Sequence, residues 1–152
     1  MTKRVVIVFG IIILLICSII MPVGANNSGS EVNNHLKTEF ISVDVTRATP
    51  IEGAVREGST NQHTYYVNSG STEINIEVRW ILSPDNNDLE LVVISPTGQI
   101  MGRFTDGSDG NINGVIPVRL RASSLPTGTW NFWISGITVK TTQRYTIALN
   151  AL

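Results

Sequence analysis

Residues 80–98 read WILSPDNNDLELVVISPTG. An apolar strand ends at Trp80 to Leu82, an acid- and amide-rich turn follows, a second strand runs from Leu89, and Ser95-Pro96-Thr97-Gly98 closes it. Turn residues on both sides of a short β-branched run are the mark of antiparallel strands joined by tight connections. The turn also brings Asp85, Asn86, Asn87 and Asp88 together, where a cation could bind.

Upstream, residues 73–82 alternate strictly. Ile74, Ile76, Val78, Trp80 and Leu82 fall on one face and Glu73, Asn75, Glu77 and Arg79 on the other. Successive side chains of a strand point to opposite faces, so this pattern predicts a half-buried antiparallel strand. Leu89, Leu91 and Val93 continue it, and Val92 with Ile94 makes the second face apolar, as in a central strand. The same period appears at Ile41, Val43 and Val45, at Tyr65 and Val67, and in residues 100–104, 115–120, 130–137 and 144–149. Gly, Pro, Asn and Asp punctuate the gaps, and no window of twelve residues carries a 3.6-residue period. Eight or nine short strands at this spacing predict an all-β, two-sheet antiparallel sandwich of jelly-roll type.

The N-terminus reads differently. Lys3 and Arg4 precede an aliphatic run from Val5 to Ile20, and Val23-Gly24-Ala25 offers a small-residue cleavage site. Residues 1–25 are therefore expected to be a signal peptide, with Asn26 as the mature terminus. The alternative is an uncleaved membrane anchor, since the run is about long enough to span a bilayer. Residues 26–38 are polar and aperiodic, which predicts a flexible linker before a single domain at 39–152. Asn26-Asn27-Ser28 in that linker is a glycosylation sequon.

Cleavage removes Cys17, the one cysteine, so no disulfide and no thiol nucleophile remain. It also removes Lys3 and Arg4, leaving nine basic residues against 12 acidic ones, a net charge of −3. A mildly acidic domain without a basic stripe argues against a nucleic-acid partner. The expected location is the cell exterior or cell surface, with membrane contact only if the leader stays attached.

Further residues carry a family resemblance. Ile51-x-Gly53-x-Val55-x-x-Gly58-x-Thr60-x-x-His63-x-Tyr65-x-Val67-x-x-Gly70 leads into the strand ending at Trp80. Asn87-Asp88-Leu89-Glu90-Leu91, Ser95-Pro96-x-Gly98, Leu125-Pro126-x-Gly128-Thr129-Trp130 and Tyr145-Thr146-Ile147 follow in order. Together they resemble the pre-peptidase C-terminal (PPC) domain, a β-sandwich appended to secreted prokaryotic peptidases. More distantly, they resemble the P-domain of proprotein convertases. The resemblance covers residues 49–149 and implies a non-catalytic module for secretion, stability or substrate attachment, with calcium in some relatives. Two departures stand out: no peptidase accompanies the domain in these residues, and Glu90 stands where the family's second Asp is usual.

Asp109-Gly110-Asn111-Ile112-Asn113-Gly114 fits the first half of a calcium loop, D-x-[DN]-x-[DN]-G. Leu120 occupies the position of the bidentate Glu, so extra charge would have to come from Asp106, or from Asp85 and Asp88. The competing reading is plain turn chemistry, because Asp, Asn and Gly tolerate left-handed backbone and cap their own amides.

Catalytic signatures are sparse. The sequence contains no G-x-S-x-G elbow and no H-E-x-x-H pair. His35 falls in the linker, and His63 shares a face with Tyr65 and Val67 at the core edge. Carboxylates paired only by folding remain an open arrangement. If Trp130, Phe132 and Ile134 face the core, Trp133 faces outward, as does Tyr66 opposite Tyr65. Exposed aromatics on a sheet can stack on a sugar ring.

The sequence thus predicts a non-enzymatic, exported binding or stabilising module whose partner is an extracellular protein or envelope polymer, with calcium support and plain turn chemistry both open for its acidic loops. A carbohydrate-binding module using Trp133 and Tyr66 is the alternative, and a small hydrolase the third reading.

Overall fold

The computed structural model describes residues 35–82 and 87–152. Nine strands lie among them: β1 (Lys37–Glu39), β2 (Ile51–Val55), β3 (Thr60–Val67), β4 (Glu73–Trp80), β5 (Asp88–Ile94), β6 (Ile100–Thr105), β7 (Val115–Arg121), β8 (Gly128–Thr138) and β9 (Gln143–Ala151). A single turn of 3-10 helix at Asp106–Asp109 follows β6. No helix among the described residues is long and apolar enough to cross a membrane. The predicted leader, and the linker up to residue 34, lie outside the described residues.

The strands form two antiparallel sheets, ordered β1-β7-β4-β9-β2 and β3-β8-β5-β6. The chain crosses between sheets at every connection from β2 to β9 except the β5–β6 hairpin. Strands β2 to β9 in that order make the two interlocked Greek keys of a jelly roll, with β1 added at the edge beside β7. The predicted all-β sandwich is the observed one.

Inward positions are filled as the alternation requires. Ile74, Ile76 and Val78 of β4, Leu89, Leu91 and Val93 of β5, and Trp130, Phe132 and Ile134 of β8 are wholly buried in one core cluster. The 95–98 turn closes the β5–β6 hairpin. Gly98 takes a left-handed φ of 82° and donates to the Ser95 carbonyl at 2.9 Å. Only glycine adopts that conformation without strain.

Three local expectations shift. Residues 41–46 alternate but form no strand: Asp44 Oδ1 accepts from the Thr46 amide at 3.1 Å and from its hydroxyl at 2.6 Å, bending the chain instead. Such side-chain bonds compete with a ladder. The first strand lies earlier, at Lys37–Glu39, so the sheet begins two residues inside the stretch read as linker. Third, the outward residues Glu73 and Asn75 are buried rather than solvated. Arg121 and Arg119 stand opposite them on β7. Glu73 takes Arg119 Nε on one oxygen at 3.2 Å and Arg121 Nε on the other at 3.0 Å, and accepts from Asn75 at 2.8 Å.

Candidate functional site

The jelly-roll topology gathers the connections after β2, β4, β6 and β8 at one end of the sandwich. Every residue of the predicted cation site belongs to two of them. Asp88 opens β5, Asp106 and Asp109 bound the 3-10 turn, and Asn111 and Asn113 sit in the loop to β7. Asp85 lies outside the described residues.

Asp88 and Asp106 are brought together. Both line a cavity of about 160 Å³, along with Asn87, Leu82 and Ile112. Their carboxylates are in different states of use. Asp106 is 4% exposed. Its Oδ1 accepts from the amides of Asn113 (3.1 Å), Gly114 (3.0 Å) and Val115 (3.2 Å), and its Oδ2 also accepts from Gly114 at 3.0 Å. Asp88 Oδ1, by contrast, is buried and has no hydrogen-bond partner. Burial pushes the Asp88 carboxyl above the usual Asp range. The backbone N–H groups of Asp106 and Leu89 pull the other way, and the Asp106 carboxylate pushes it up again.

The other predicted ligands serve the loop itself. Asp109 Oδ1 accepts from the Asn111 amide at 2.8 Å, and Asn113 Oδ1 from the Val115 amide at 3.0 Å. These are Asx turns, the local chemistry that Asp and Asn contribute wherever a chain reverses. Among the described residues, no three His, Cys, Asp or Glu side chains group closely enough to hold a metal.

The second candidate is the outer face of the four-stranded sheet. Register sets Thr60 opposite Ser135, Gln62 opposite Trp133, Thr64 opposite Asn131 and Tyr66 opposite Thr129. Tyr66 is 60% exposed and Trp133 39%. Both predicted aromatics therefore face solvent, on one face of neighbouring strands, four residues or about 13 Å apart along the strand direction. Gln62 Nε2 donates to Asn131 Oδ1 at 2.6 Å, and the Thr60 and Ser135 hydroxyls meet at 2.8 Å. None of these eight outward residues is charged. Glu90, opposite Ser135 in register, lies beside the patch and is paired with Arg103 of β6 at 3.0 Å.

His63 lies on the inner side of β3, as its spacing predicts. Its Nε2 and the Tyr145 hydroxyl are hydrogen-bonded at 2.7 Å, with Asn61 Nδ2 donating to the same hydroxyl at 3.3 Å. Burial lowers the His63 pKa and raises that of Tyr145. No described serine or carboxylate hydrogen-bonds this pair, so the geometry is that of a satisfied core edge.

Sequence reasoning missed Arg79 and Arg144. They lie far apart in the chain but on adjacent strands of the five-stranded sheet, beside a concavity of about 690 Å³. The only signal was their outward parity in two strands whose pairing the sequence does not state.

No protein-family model matches the chain, and no curated protein matches it by sequence. Among solved structures it is similar to the crystal structure of Aeromonas hydrophila PliG, a periplasmic lysozyme inhibitor of g-type lysozyme. The identity is 16% and the TM-score 0.46, over 69% of this chain and 86% of that one.

Proposed function

We propose that this chain is a non-catalytic recognition module of the cell exterior, and that it binds an uncharged, glycan-type polymer on the outer face of its four-stranded sheet. The observation that carries the reading is the uncharged outer patch of β3 and β8, with Tyr66 and Trp133 exposed among amide and hydroxyl side chains. Aromatic rings offer large apolar area at small entropic cost, while amides and hydroxyls supply adaptable hydrogen bonds. A patch without formal charge suits a neutral polar partner, since no ion pair is needed and no charge is stranded on binding.

Sedimentation with the uncharged insoluble glycans chitin, cellulose and β-1,3-glucan tests this. The parent domain is expected to co-sediment with at least one of them. Trp133→Ala and Tyr66→Ala should each weaken that binding by about tenfold, equivalent to about 1.4 kcal/mol. Unfolding midpoints recorded in parallel separate lost contact from lost fold. Equal retention of parent and both variants, with their folds intact, would sink the proposal.

One observation favours a calcium ion as a structural support: the unpartnered Asp88 Oδ1 beside the Asp106 carboxylate. Calcium takes six to eight oxygens, and Asp106 already spends its own on backbone amides. The burden of that reading thus falls on Asp88, and Asp88→Asn tests it. In chelator, the raised folded-state pKa means that the ionised group opposes folding at neutral pH. The opposition fades as pH falls through the raised folded-state value towards the ordinary Asp range. Asp88→Asn is therefore expected to melt a few degrees higher than the parent at pH 7, with the gap closing as pH falls through that window. With millimolar calcium the parent should gain and the variant should not. An unchanged parent melting temperature would remove the ion from the account.

A further inference from the structure

The five-stranded sheet has a concave surface of its own. Its outer face near the β2 edge holds a concavity of about 690 Å³. On β2 the short side chain of Ala54, opposite Arg144 in register, leaves room for it. Tyr145, opposite Gly53 in register, turns its ring to the inner side, where a Cβ on Gly53 would collide with it at 2.3 Å. An apolar side chain, Ile81, stands at the rim with 85% of its surface in solvent.

The polar groups are set by register. Arg79 faces Thr146, which faces Glu52, so the three form one row across β4, β9 and β2. Arg144 lies two residues before Thr146 on the same face of β9, diagonal to Arg79, at a Cα separation of about 7 Å. Glu77, two residues away on its own strand, holds Arg79 by bonds of 3.0 and 3.1 Å. Arg144 is exposed, and among the described residues no side chain hydrogen-bonds or ion-pairs its guanidinium. An exposed planar fork of donors flanked by the apolar side chains of Ile81 and Ala54 matches a carboxylate attached to an apolar body.

We infer that this concavity binds a carboxylate-bearing amphiphile, with the carboxylate on Arg144 and its apolar body along Ile81 and Ala54. Thr146 offers a hydroxyl donor between the two arginine positions. Glu52, diagonal to Arg144, opposes the anion and sets the affinity low. A free acyl carboxylate and the C-terminus of an apolar peptide share this chemistry. The site lies on the opposite sheet from the glycan-facing patch, so the two proposals stand or fall separately.

Titration followed by backbone NMR shifts tests it, using decanoate, decanol, acetate, and a leucine-terminated apolar peptide as free acid and as amide. Decanoate or the free-acid peptide should move the amides of residues 52–54 and 144–146, and whichever does so identifies the source. Decanol, acetate and the amide should not. Arg144→Gln should weaken the binding about tenfold or more, as loss of a charge-assisted bond implies. Glu52→Gln should strengthen it, and Trp133→Ala should leave it unchanged. If decanol binds as well as decanoate, if Arg144→Gln has no effect in a folded variant, or if neither carboxylate moves these amides, the assignment is wrong.

Discussion

Replacing Asp106 by alanine is expected to destabilise the domain by about 3 kcal/mol, as the lower urea midpoint of the variant would show. The residue looks like a ligand in the sequence but acts as a clamp in the fold. Its buried carboxylate receives the amides of three consecutive residues, Asn113, Gly114 and Val115, at 3.0–3.2 Å. Those amides lead from the loop into Val115, the first residue of β7, an interior strand of the five-stranded sheet. Remove the acceptor and at least the buried Gly114 N–H loses its partner. The position admits only glycine: its φ is 76°, and a Cβ there would meet the Trp80 carbonyl at 2.4 Å. Asp109→Ala is the contrast. It removes one bond in an exposed Asx turn and should cost about 0.5–1.5 kcal/mol. If the two variants proved equally mild, Asp106 would not be the clamp described.

The largest effect of all should come from Trp130. It is wholly buried, and its indole N–H donates to the Pro126 carbonyl at 2.9 Å. Truncation of a buried aromatic to alanine costs about 3–5 kcal/mol, through lost transfer energy and the cavity left behind. Trp133→Ala, three residues along the same strand, should cost under half as much, because its side chain stands on the other face and is 39% exposed. Chemical denaturation of the pair reads the strand's alternation directly. Similar losses at both positions would mean that the outer face of β8 is covered rather than free, and would also remove the basis of the glycan-binding proposal.

The site was less legible than the fold. The outward facing of Trp133 and Tyr66 was legible because it follows from alternation once Trp130 and Tyr65 are assigned inward. Among the described acid residues of the expected cation site, Asp88 and Asp106 line one cavity. Whether an oxygen is spare or spent depends on which backbone amides the folded loop turns toward it. Asp109 and Asn113 fit a ligand pattern that is equally an Asx-turn pattern, because both uses want an oxygen near the chain's own reversal. Arg79 and Arg144 were invisible as a pair, since 65 residues separate two side chains that only the β4–β9 register makes neighbours.

By itself, the sequence determined the class of structure and the facing of most strands. A period of two forces alternate side chains to opposite faces wherever an apolar set must be buried, as at Ile74, Ile76 and Val78. It also placed the hairpin at Ser95–Gly98, where glycine's conformational freedom is a local property. It failed at residues 41–46, where alternation was present but Asp44 and Thr46 bent the chain away from a ladder. Only the tertiary structure decided which strands are neighbours, and hence what lies across from what. Glu73 is buried because Arg119 and Arg121 arrive from β7, and the Arg144 groove exists because β2, β9 and β4 align in one register. Strand pairing is a long-range choice made by the whole core, and no local pattern encodes it.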